Sequence, residues 1–396
     1  METVKTEWVK QLGTAGEDDA YGIAVDSDGN VYMTGYTSGN LEGENAGGND
    51  AWVAKYDPSG QQLWLKQLGT MGEDESNGIA LAPDGTLYVL GYTYGVKEDD
   101  IAQTWLAKYD PQGTRHWLKR LSDSRPQIPH SLAVDAESNI YITGYAAPEH
   151  EEWQVWLAKY NPDGDRLWWT PLGQYHDEAT TYITVGHNPQ ARSKITRTLV
   201  YVAGNTPRPI SPEAGSEQAW LACYNGEGIQ RWIQPLGSLE ETGCSGIAID
   251  PHSYLYLAGY TTGTVAEANA GGSDVWVARY DNQGHRQWIH QLGTTEDEEA
   301  TGLTVDAVGN VYIAGFTYGA MTEEVAGDSD AWVAKYNAQG EQQWVKQIGS
   351  AAEDGCNAVA VDHQSNVYIT GYTDGAMEGE NAGGYDAWLA KLVQSQ

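Results

Sequence analysis

A unit of about 56 residues is written seven times along this chain of 396 residues and accounts for nearly all of its length. A tryptophan followed by a short hydrophobic run marks each copy, at Trp8, Trp64, Trp117, Trp168, Trp232, Trp288 and Trp344. A fixed period of this size indicates a repeat architecture, in which each copy is one supersecondary unit that buries its faces only against its neighbours. The repeat therefore constrains the fold far more than it constrains the chemistry.

Within each copy, the residue pattern is that of β-strands. In the first copy the runs "YGIAVD" (21–26), "NVYMTGYT" (30–37), "DAWVAKYD" (50–57) and "QLWLKQLG" (62–69) are rich in Val, Ile, Tyr, Trp and Thr, and turn residues separate them. No stretch shows a helical period. Four strands in each of seven copies predict 28 strands, and radial repetition of four-stranded sheets is the β-propeller solution to exposed sheet edges.

The repeated motif "GIAVDxxGNVYxTGYT…GGxDAWVAKYDxxG" resembles the SBBP (seven-bladed β-propeller) repeat of bacterial proteins. The resemblance covers almost the whole chain, and it implies an all-β, seven-bladed propeller with four antiparallel strands in each blade. It implies no single activity, because the family is recognised by its repeat alone.

The ends of the chain predict how the propeller closes. The chain opens with an isolated fourth strand, "EWVKQLG" (7–13), and ends after a third strand, "DAWLAKL" (386–392). We therefore expect residues 7–13 to complete the last blade of one domain that spans residues 1–396. The seven blades are predicted to begin near residues 21, 78, 131, 182, 246, 301 and 358.

Charge and composition restrict the partners. The 22 basic and 55 acidic residues give a net charge of −33, which disfavours nucleic acid and anionic membranes because both repel such a field. The three cysteines show no metal-binding or disulfide spacing, so we expect no disulfide framework and no zinc site. No secretory leader or apolar run of 18 residues is present. A soluble chain is expected, cytoplasmic or secreted after removal of a leader.

The acidic residues gather in two loop types that propeller geometry places on one face: the "GEDD" turn before the first strand and the "LEGENAGGND" loop between the second and third strands. Oxygen-rich loops suit calcium, for which the predicted ligands are Asp50, Asp274, Asp330 and Asp386. Neighbouring acids extend the set in four blades, namely Glu17, Asp18, Glu240, Glu241, Asp297, Glu298, Glu353 and Asp354. The alternative is that each Asp accepts backbone N–H bonds of its own loop, while the Glu side chains are solvated.

Blades 2 to 4 depart from the repeat. They carry Gln103, Gln154 and Gln218 where the other blades carry the loop Asp. Blade 4 contains a basic insert, "GHNPQARSKITRT", which we call the basic tongue. The predicted partner-binding residues are Arg192, Lys194 and Arg197 of this tongue, with His150 and Trp153 of blade 3. Neutral drift in a tolerant surface loop is the alternative explanation.

The sequence offers little evidence of an enzyme: it has no nucleophile elbow, no P-loop and no HExxH zinc motif. Most acids recur blade by blade, whereas a catalytic acid or base is usually unique, so the best catalytic candidates are unrepeated groups, His130, His176 and Asp177. The sequence predicts a non-catalytic binding or assembly scaffold for a positively charged protein or a small polar ligand. The alternatives are a calcium-dependent or glycan-recognition module, or a hydrolase or lyase. No cofactor is required by these motifs.

Overall fold

The computed structural model describes residues 3–95, 102–121, 127–146, 153–175, 180–187, 197–206, 218–236, 241–322 and 325–395. Across these ranges the named elements are 28 β-strands. The described part of the chain accordingly contains no helix that is long and apolar enough to cross a membrane. The prediction of an all-β chain built from antiparallel four-stranded repeats is confirmed.

The strands pair into six sheets, which we label A to F. Sheet A contains β2 (Asp18–Val25), β3 (Val31–Thr37), β4 (Asp50–Tyr56) and β5 (Gln62–Leu68). Sheet B contains β6 (Glu73–Leu81), β7 (Leu87–Tyr94), β8 (Gln103–Tyr109) and β9 (Arg115–Arg120). Sheet C contains β10 (Gln127–Val134), β11 (Ile140–Ala146), β12 (Trp153–Tyr160) and β13 (Arg166–Tyr175).

Sheet D has eight strands because one parallel pair, Gln218 with Thr242, joins two groups of four. The first group is β14 (Thr181–His187), β15 (Thr198–Thr206), β16 (Gln218–Asn225) and β17 (Gln230–Pro235). The second is β18 (Thr242–Ile249), β19 (Leu255–Thr261), β20 (Asp274–Tyr280) and β21 (Arg286–Leu292). Sheet E contains β22 (Glu298–Val305), β23 (Val311–Thr317), β24 (Asp330–Tyr336) and β25 (Gln342–Ile348). Sheet F contains β26 (Asp354–Val361), β27 (Val367–Thr373), β28 (Asp386–Ser395) and β1 (Thr3–Leu12).

The chain divides into two compact units. Unit 1 comprises residues 1–129, 314–334 and 343–396, and unit 2 comprises residues 130–313 and 335–342. Unit 1 therefore contains sheets A, B and F, and unit 2 contains sheet D and nearly all of sheet C. The division runs through sheet E.

The N-terminal strand belongs to the sheet formed by the C-terminus. β1 pairs antiparallel with β28 from Thr3 opposite Ser395 to Leu12 opposite Ala387, with one register shift between Thr6 and Trp8. The order β1-β28-β27-β26 makes β1 the outer strand of sheet F. Chain ends far apart in sequence are thus held together by backbone hydrogen bonds within unit 1.

Tight turns connect the first two strands of sheets A, B, C, E and F and of the second group in sheet D. In sheet A, the Oδ1 atom of Asp26 accepts bonds from the backbone N–H groups of Asp28 (3.0 Å) and Asn30 (2.9 Å). Gly29 has a φ of 80°, a conformation that glycine adopts without steric cost. The first strand starts at Asp18, three residues before the predicted start, because the Asp18 N–H bonds to the Tyr385 carbonyl of sheet F at 2.7 Å.

Neighbouring sheets pack through aromatic and branched side chains. Between sheets A and B, Tyr32 and Val53 lie in one core cluster with Leu87, Val89 and Trp105. The third-strand tryptophans are at most 3% exposed, as a core position that recurs in every repeat requires. They are Trp52, Trp105, Trp156, Trp220, Trp276, Trp332 and Trp388.

Candidate functional site

The loop aspartates are predicted metal ligands, and in the structure each lies inside its own sheet. Asp50, at the start of β4, is 1% exposed. Its Oδ2 atom accepts the Ala46 N–H at 3.0 Å and the Nε2–H of Gln67 at 2.9 Å. The Oε1 atom of Gln67 accepts the N–H groups of Leu41 and Glu42, both at 2.9 Å. We call this Asp–Gln pair the clamp, because it fastens the long loop between β3 and β4 to β5.

The clamp recurs wherever the long loop recurs. The Gln Nε2 to Asp Oδ2 distance is 2.8 Å for Gln291–Asp274, 2.8 Å for Gln347–Asp330 and 2.7 Å for Gln11–Asp386. Close packing accompanies it: a Cβ atom added at Gly69 would lie 1.8 Å from Asp50 Oδ1, so only glycine fits there. The four predicted calcium ligands thus share one role, which is to accept hydrogen bonds from their own loops.

The acidic turn of the next sheet receives this loop. At the junction between sheets A and B, Asp74 Oδ2 accepts the Thr70 N–H at 2.6 Å and the Thr70 hydroxyl at 2.8 Å. Glu73 Oε2 accepts the Asn49 N–H at 2.7 Å, and the Asp74 N–H returns a 2.7 Å bond to the Asn49 carbonyl. A Cβ atom at Gly47 would lie 2.5 Å from the Thr70 carbonyl oxygen. The loop backbone therefore rests directly on the turn, and we call clamp and turn together an interlock.

Interlocks occur at four junctions: F to A, A to B, D to E and E to F. The turn carboxylates at the other three are Asp18, Glu298 and Asp354, which accept bonds from Thr14, Thr294 and Ser350. Burial raises the pKa of Asp18 and of Asp354, although hydrogen bonds from neighbouring hydroxyl and N–H groups oppose the shift.

The described residues contain no group of three or more His, Cys, Asp or Glu side chains arranged to hold a metal ion. Asp50, Asp274, Asp330 and Asp386 belong to four different interlocks and do not converge on one point. A calcium site stays a prediction. The loop N–H groups bond to the Oδ2 atoms of Asp50, Asp274 and Asp386, and the buried Oδ1 atoms of these three residues accept no hydrogen bond from the described residues.

The predicted partner-binding residues are only partly within the described residues. Arg197 is exposed and directly precedes β15. Trp153 begins β12, where the backbone alone is described. Arg192, Lys194 and His150 lie outside the described residues. The structure therefore places Arg197 of the basic tongue directly before the start of β15. That these five residues form one binding surface stays a prediction.

Among the unrepeated groups, His130 is a structural acceptor. Its Nδ1 atom accepts the Thr181 N–H at 3.1 Å, and its ring lies edge-on to Tyr145 with centroids 4.9 Å apart. Burial lowers the pKa of His130 to about 4, so the ring is neutral at pH 7. His176 and Asp177 lie outside the described residues. The buried thiols of Cys244 and Cys356 have pKa values raised to about 12 by burial, which leaves them unreactive.

A second group of acids, in unit 1, was not singled out from the sequence. Asp19 on β2 is 7% exposed, and its Oδ1 atom accepts the Ala20 N–H at 2.7 Å and the Nδ2–H of Asn357 at 2.9 Å. Burial raises the pKa of Asp19 to about 7, and the negative charge of Glu75 adds to the shift. Asp19 is thus a carboxyl group that titrates near neutrality.

Glu75 lies on the neighbouring strand β6 and is held by tyrosine. The Tyr92 hydroxyl donates to Glu75 Oε2 at 2.5 Å, and Asn49 Nδ2–H donates to Oε1 at 3.3 Å. The Tyr92 ring stands edge-on to Tyr94 with centroids 5.4 Å apart. On sheet A, the rings of Tyr21 and Tyr36 lie 5.7 Å apart, and both tyrosines interact electrostatically with Asp19.

Sheet F contributes a third carboxylate just before β26. The hydroxyl of Tyr372 donates to Glu353 Oε1 at 3.2 Å, and that of Tyr385 donates to Oε2 at 2.9 Å. The two rings are nearly perpendicular, at 79°, with centroids 5.1 Å apart. We define the carboxylate–tyrosine cluster by its three acids and six rings: Asp19, Glu75, Glu353, Tyr21, Tyr36, Tyr92, Tyr94, Tyr372 and Tyr385.

The cluster has no basic residue on the strands that build it. β2, β3, β6, β7, β26 and β27 contain neither Lys nor Arg. One sequence signal could have found the site: the Asp19 position holds Glu75 and Glu299 in two other copies, but Ile128, Gly243 and Gly355 elsewhere. An acid that interrupts a repeat position is the kind of departure in which a site-specific role is expected.

Comparison with known proteins agrees with the repeat. The SBBP β-propeller repeat matches five segments, at residues 7–42, 116–147, 232–265, 287–320 and 343–376. The regulatory protein FlaEY of Caulobacter vibrioides is 30% identical over 136 residues, which is 31% of this chain and 14% of FlaEY. The uncharacterized WD repeat-containing protein L264 of Acanthamoeba polyphaga mimivirus is 20% identical over 92% of this chain and 36% of its own length. The chain thus spans well under two thirds of these relatives.

Solved structures give a likeness of fold alone, at low identity. The α-L-arabinofuranosidase of Fusarium graminearum, in complex with arabinobiose, aligns with a TM-score of 0.51 at 10% identity, over 80% of this chain and 92% of the enzyme. A family PL25 ulvan lyase aligns with a TM-score of 0.51 at 10% identity, over 96% of this chain and 95% of the lyase. The five matched segments show that the chain carries SBBP β-propeller repeats.

Proposed function

We propose that this chain is a seven-bladed β-propeller that serves as a non-catalytic binding or assembly scaffold for a positively charged protein or a small polar ligand. The blade number is supported by seven sequence copies and by the pairing of β1 with β28, which supplies the fourth strand of sheet F. The observation that carries the binding role is the carboxylate–tyrosine cluster, whose strands hold acids and rings but no basic residue.

The charge of the whole chain favours the same partners. A net charge of −33 attracts positively charged molecules over distances of about a Debye length, roughly 8–10 Å at moderate salt. Most acids of the interlocks accept hydrogen bonds from backbone N–H groups, as Asp50 and Asp74 do. Acids that are held mainly by tyrosine hydroxyls remain better suited to meet a ligand.

A docking surface on the basic tongue is a further part of the proposal. This surface would comprise Arg192, Lys194 and Arg197, with Trp153 and His150. It would distinguish one docking surface from the others, because repeated blades present the same surface several times. The exposure of Arg197 beside β15 supports this placement. Calcium-dependent binding through Asp50, Asp274, Asp330 and Asp386, or recognition of a glycan, is the alternative mode.

One observation favours a second candidate function, a hydrolase or lyase. The pKa of Asp19, raised to about 7 by burial, is that of an efficient acid or base near neutral pH. The arabinofuranosidase and the ulvan lyase with a similar fold act on carbohydrates, so carbohydrate polymers are the substrates to test. Against this candidate, the low identity of both carries no residue role over to this chain.

The experiment is a binding array that holds basic, acidic and neutral peptides beside arabinan and ulvan oligosaccharides, probed with and without a calcium chelator. We expect retention on basic peptides that weakens with salt and does not respond to the chelator. Cleavage of an oligosaccharide would contradict the non-catalytic scaffold and support the hydrolase or lyase. Chelator-sensitive retention, with a calorimetric calcium signal that Asp274→Asn removes, would establish the calcium-dependent mode.

A further inference from the structure

The outer strand of sheet B differs in charge from the outer strands of the other sheets. β9 contains three Lys or Arg residues and no acid, in a chain whose net charge is −33. β5, β13, β17, β21 and β25 contain one Lys or Arg each, and in β1 two lysines accompany Glu7. The His116 side chain of β9, which is 52% exposed, adds a further basic group. β9 is therefore a local basic strand on an acidic protein.

The backbone of β9 is open on its outer side. β9 is the last strand in the order β6-β7-β8-β9, and among the described residues it pairs with β8 alone. The Leu121 N–H bonds to the Thr104 carbonyl at 2.8 Å, and residues that bond to the partner strand alternate along an antiparallel strand. Leu118 and Arg120 therefore direct their N–H and C=O groups away from β8, where a further strand can pair with them.

An accessible apolar side chain accompanies this open backbone. Leu118 is 39% exposed, whereas Leu65, at the same repeat position in sheet A, is 6% exposed. Leu65 belongs to a core cluster against which Leu41 of the long loop packs. Alternate residues of a strand share a face, so Leu118 lies on the same face of β9 as the exposed Arg120. The edge thus offers an apolar contact beside a positive charge.

Other outer strands lack this combination. In sheets C and D, the repeat position of Arg120 holds Pro171 and Pro235, and proline has no N–H to donate to a further strand. In the interlocked sheet A the same position holds Gln67, whose side chain donates to Asp50. Arg120 instead keeps its N–H and carries an exposed guanidinium. β9 is therefore the outer strand that joins an open edge to positive charge.

We propose that the edge of β9 binds an extended segment of a partner protein, in which acidic side chains flank an apolar one. The partner backbone adds a strand to sheet B, its acids pair with Arg120 and the neighbouring cations, and its apolar side chain contacts Leu118. In strand addition, backbone hydrogen bonds give affinity and alternate side chains give specificity. At moderate salt, charges beyond about 8–10 Å are screened, so the cations of β9 outweigh the distant acids of the chain. This inference goes beyond the proposed function, because it assigns a separate surface to an acidic partner.

The probe is a labelled heptapeptide with glutamate at its second and sixth positions, leucine at its fourth and threonine elsewhere. Fluorescence anisotropy measures its binding to the full chain. We expect saturable binding that is lost when both glutamates are replaced by lysine, and also when alternate amides of the peptide are N-methylated. Equal binding of the glutamate and lysine peptides would remove charge recognition. Undiminished binding of both N-methylated registers would remove strand pairing, and either result would overturn the proposal.

Two substitutions at Arg120 separate charge from backbone pairing. Arg120→Gln installs the residue found in sheet A, Gln67, and retains the N–H, so we expect several-fold weaker binding with an unchanged melting temperature. Arg120→Pro installs the residue of Pro171 and Pro235 and removes the N–H as well, so we expect no measurable binding. The control Lys66→Gln removes one charge from β5 and should change the affinity by less than about twofold. Equal losses in Arg120→Gln and Lys66→Gln would contradict docking on β9.

The apolar contact has its own matched pair of variants. Leu118→Thr keeps a residue suited to a strand and should weaken peptide binding several-fold. Ile233→Thr makes a comparable change at the same repeat position of β17, where the side chain is 37% exposed, and should leave the affinity unchanged. The reverse result would place the docking edge on β17 and overturn the assignment. A labelled oligothymidylate is tested beside the peptide, and binding of this oligonucleotide that requires Arg120, without peptide binding, would also overturn it.

Discussion

Among the described residues, the interlock is present at four sheet junctions and absent from the junction of sheets B and C and from the junction within sheet D, although backbone pairing is present at both kinds of junction. At the junction of sheets A and B, the Asp50–Gln67 clamp and the Thr70–Asp74 turn are both present. Where Gln103, Gln154 and Gln218 replace the loop Asp, the clamp Gln is replaced as well, by Arg120, Pro171 and Pro235. The partners of the clamp thus change together, which indicates that neither is useful alone.

The receiving turn changes with the clamp. The repeat position of the turn carboxylate Asp74 holds Gln127 at the junction of sheets B and C and Thr242 within sheet D. Neither residue is a carboxylate. The backbone link persists at these places, since the Gln127 N–H bonds to the Ala102 carbonyl at 3.0 Å and Gln218 pairs with Thr242. Side-chain interlocking is therefore an addition to a common backbone frame. The junctions without it are freer to carry divergent loops.

The largest expected effect comes from removing a whole interlocked strand. Deletion of residues 1–13 takes away β1 and with it Gln11, which clamps Asp386 and accepts the Met377 N–H. We expect a loss of several kcal/mol from a total stability of roughly 5–15 kcal/mol, with aggregation through the exposed edge of β28. Chemical denaturation and light scattering measure both effects. Deleting only residues 1–2 serves as the control, and an unchanged melting temperature after the longer deletion would contradict this role of β1.

The strand pattern and the pairing of β1 with the last strand were readable in the sequence, because seven copies average out local ambiguity. The sequence left two alternative roles open for Asp50 and did not indicate a role for Gln67. Carboxylates in Gly-rich loops suit both calcium and backbone capping, and the pattern does not show that Gln67, 17 residues later, donates to Asp50. Their joint replacement in other copies was the available clue.

The carboxylate–tyrosine cluster was not predicted for a different reason. Asp19 and Glu75 stand beside the repeated acids Asp18 and Asp74 in sequence, so they read as part of one acidic turn. In a strand, successive side chains point to opposite faces, and only the structure shows which member of each pair is enclosed by the interlock. The tyrosines of β3 and β7 likewise read as ordinary strand residues.

A single clamp can be tested without removing a strand. Gln67→Ala deletes a side chain that contacts Leu41, Glu42, Gly39 and Asp50 and leaves Asp50 short of a donor. We expect destabilisation by about 1–3 kcal/mol, because a buried carboxylate oxygen loses one of its two donors and the loop loses its bonds to Gln67. The same substitution at the equivalent, exposed position of sheet B, Arg120→Ala, should cost less than about 0.5 kcal/mol. Equal denaturation midpoints for the two variants would contradict the interlock.

The titration of Asp19 should make the stability of the protein depend on pH. Because burial raises its folded-state pKa to about 7, its stabilising contribution is complete at acid pH, below the unfolded pKa of about 4, and is lost as the pH rises through 7. Asp19→Asn should therefore raise stability at pH 8 by roughly 1–3 kcal/mol and flatten the profile between pH 5 and 8. Asp57→Asn is the control, since hydrogen bonding from Ser59 lowers the pKa of that half-buried Asp and no change of slope is expected there. A native profile that is already flat would refute the raised pKa.

The smallest effect on stability, and the sharpest on recognition, is expected where no interlock exists. Changing Arg192, Lys194 and Arg197 together to Glu should alter stability by less than about 0.5 kcal/mol each, because these residues belong to a surface insertion. Association with an acidic peptide of the array that docks on the basic tongue should weaken several-fold and lose its salt dependence, because charge at a docking rim acts mainly on the rate of encounter. Surface plasmon resonance at two salt concentrations measures both quantities.

A matched control separates docking from net charge. Lys10, Lys66 and Lys346 lie on the outer strands of sheets F, A and E, and changing them to Glu alters the net charge of the chain by the same amount. If both triple variants weaken binding equally, the tongue acts only through the total charge. If the control variant alone loses binding, the docking surface belongs to the interlocked sheets, because only there were the charges moved. A loss confined to the tongue variant assigns docking to the non-interlocked part of the chain, where freedom from the clamp lets a loop diverge.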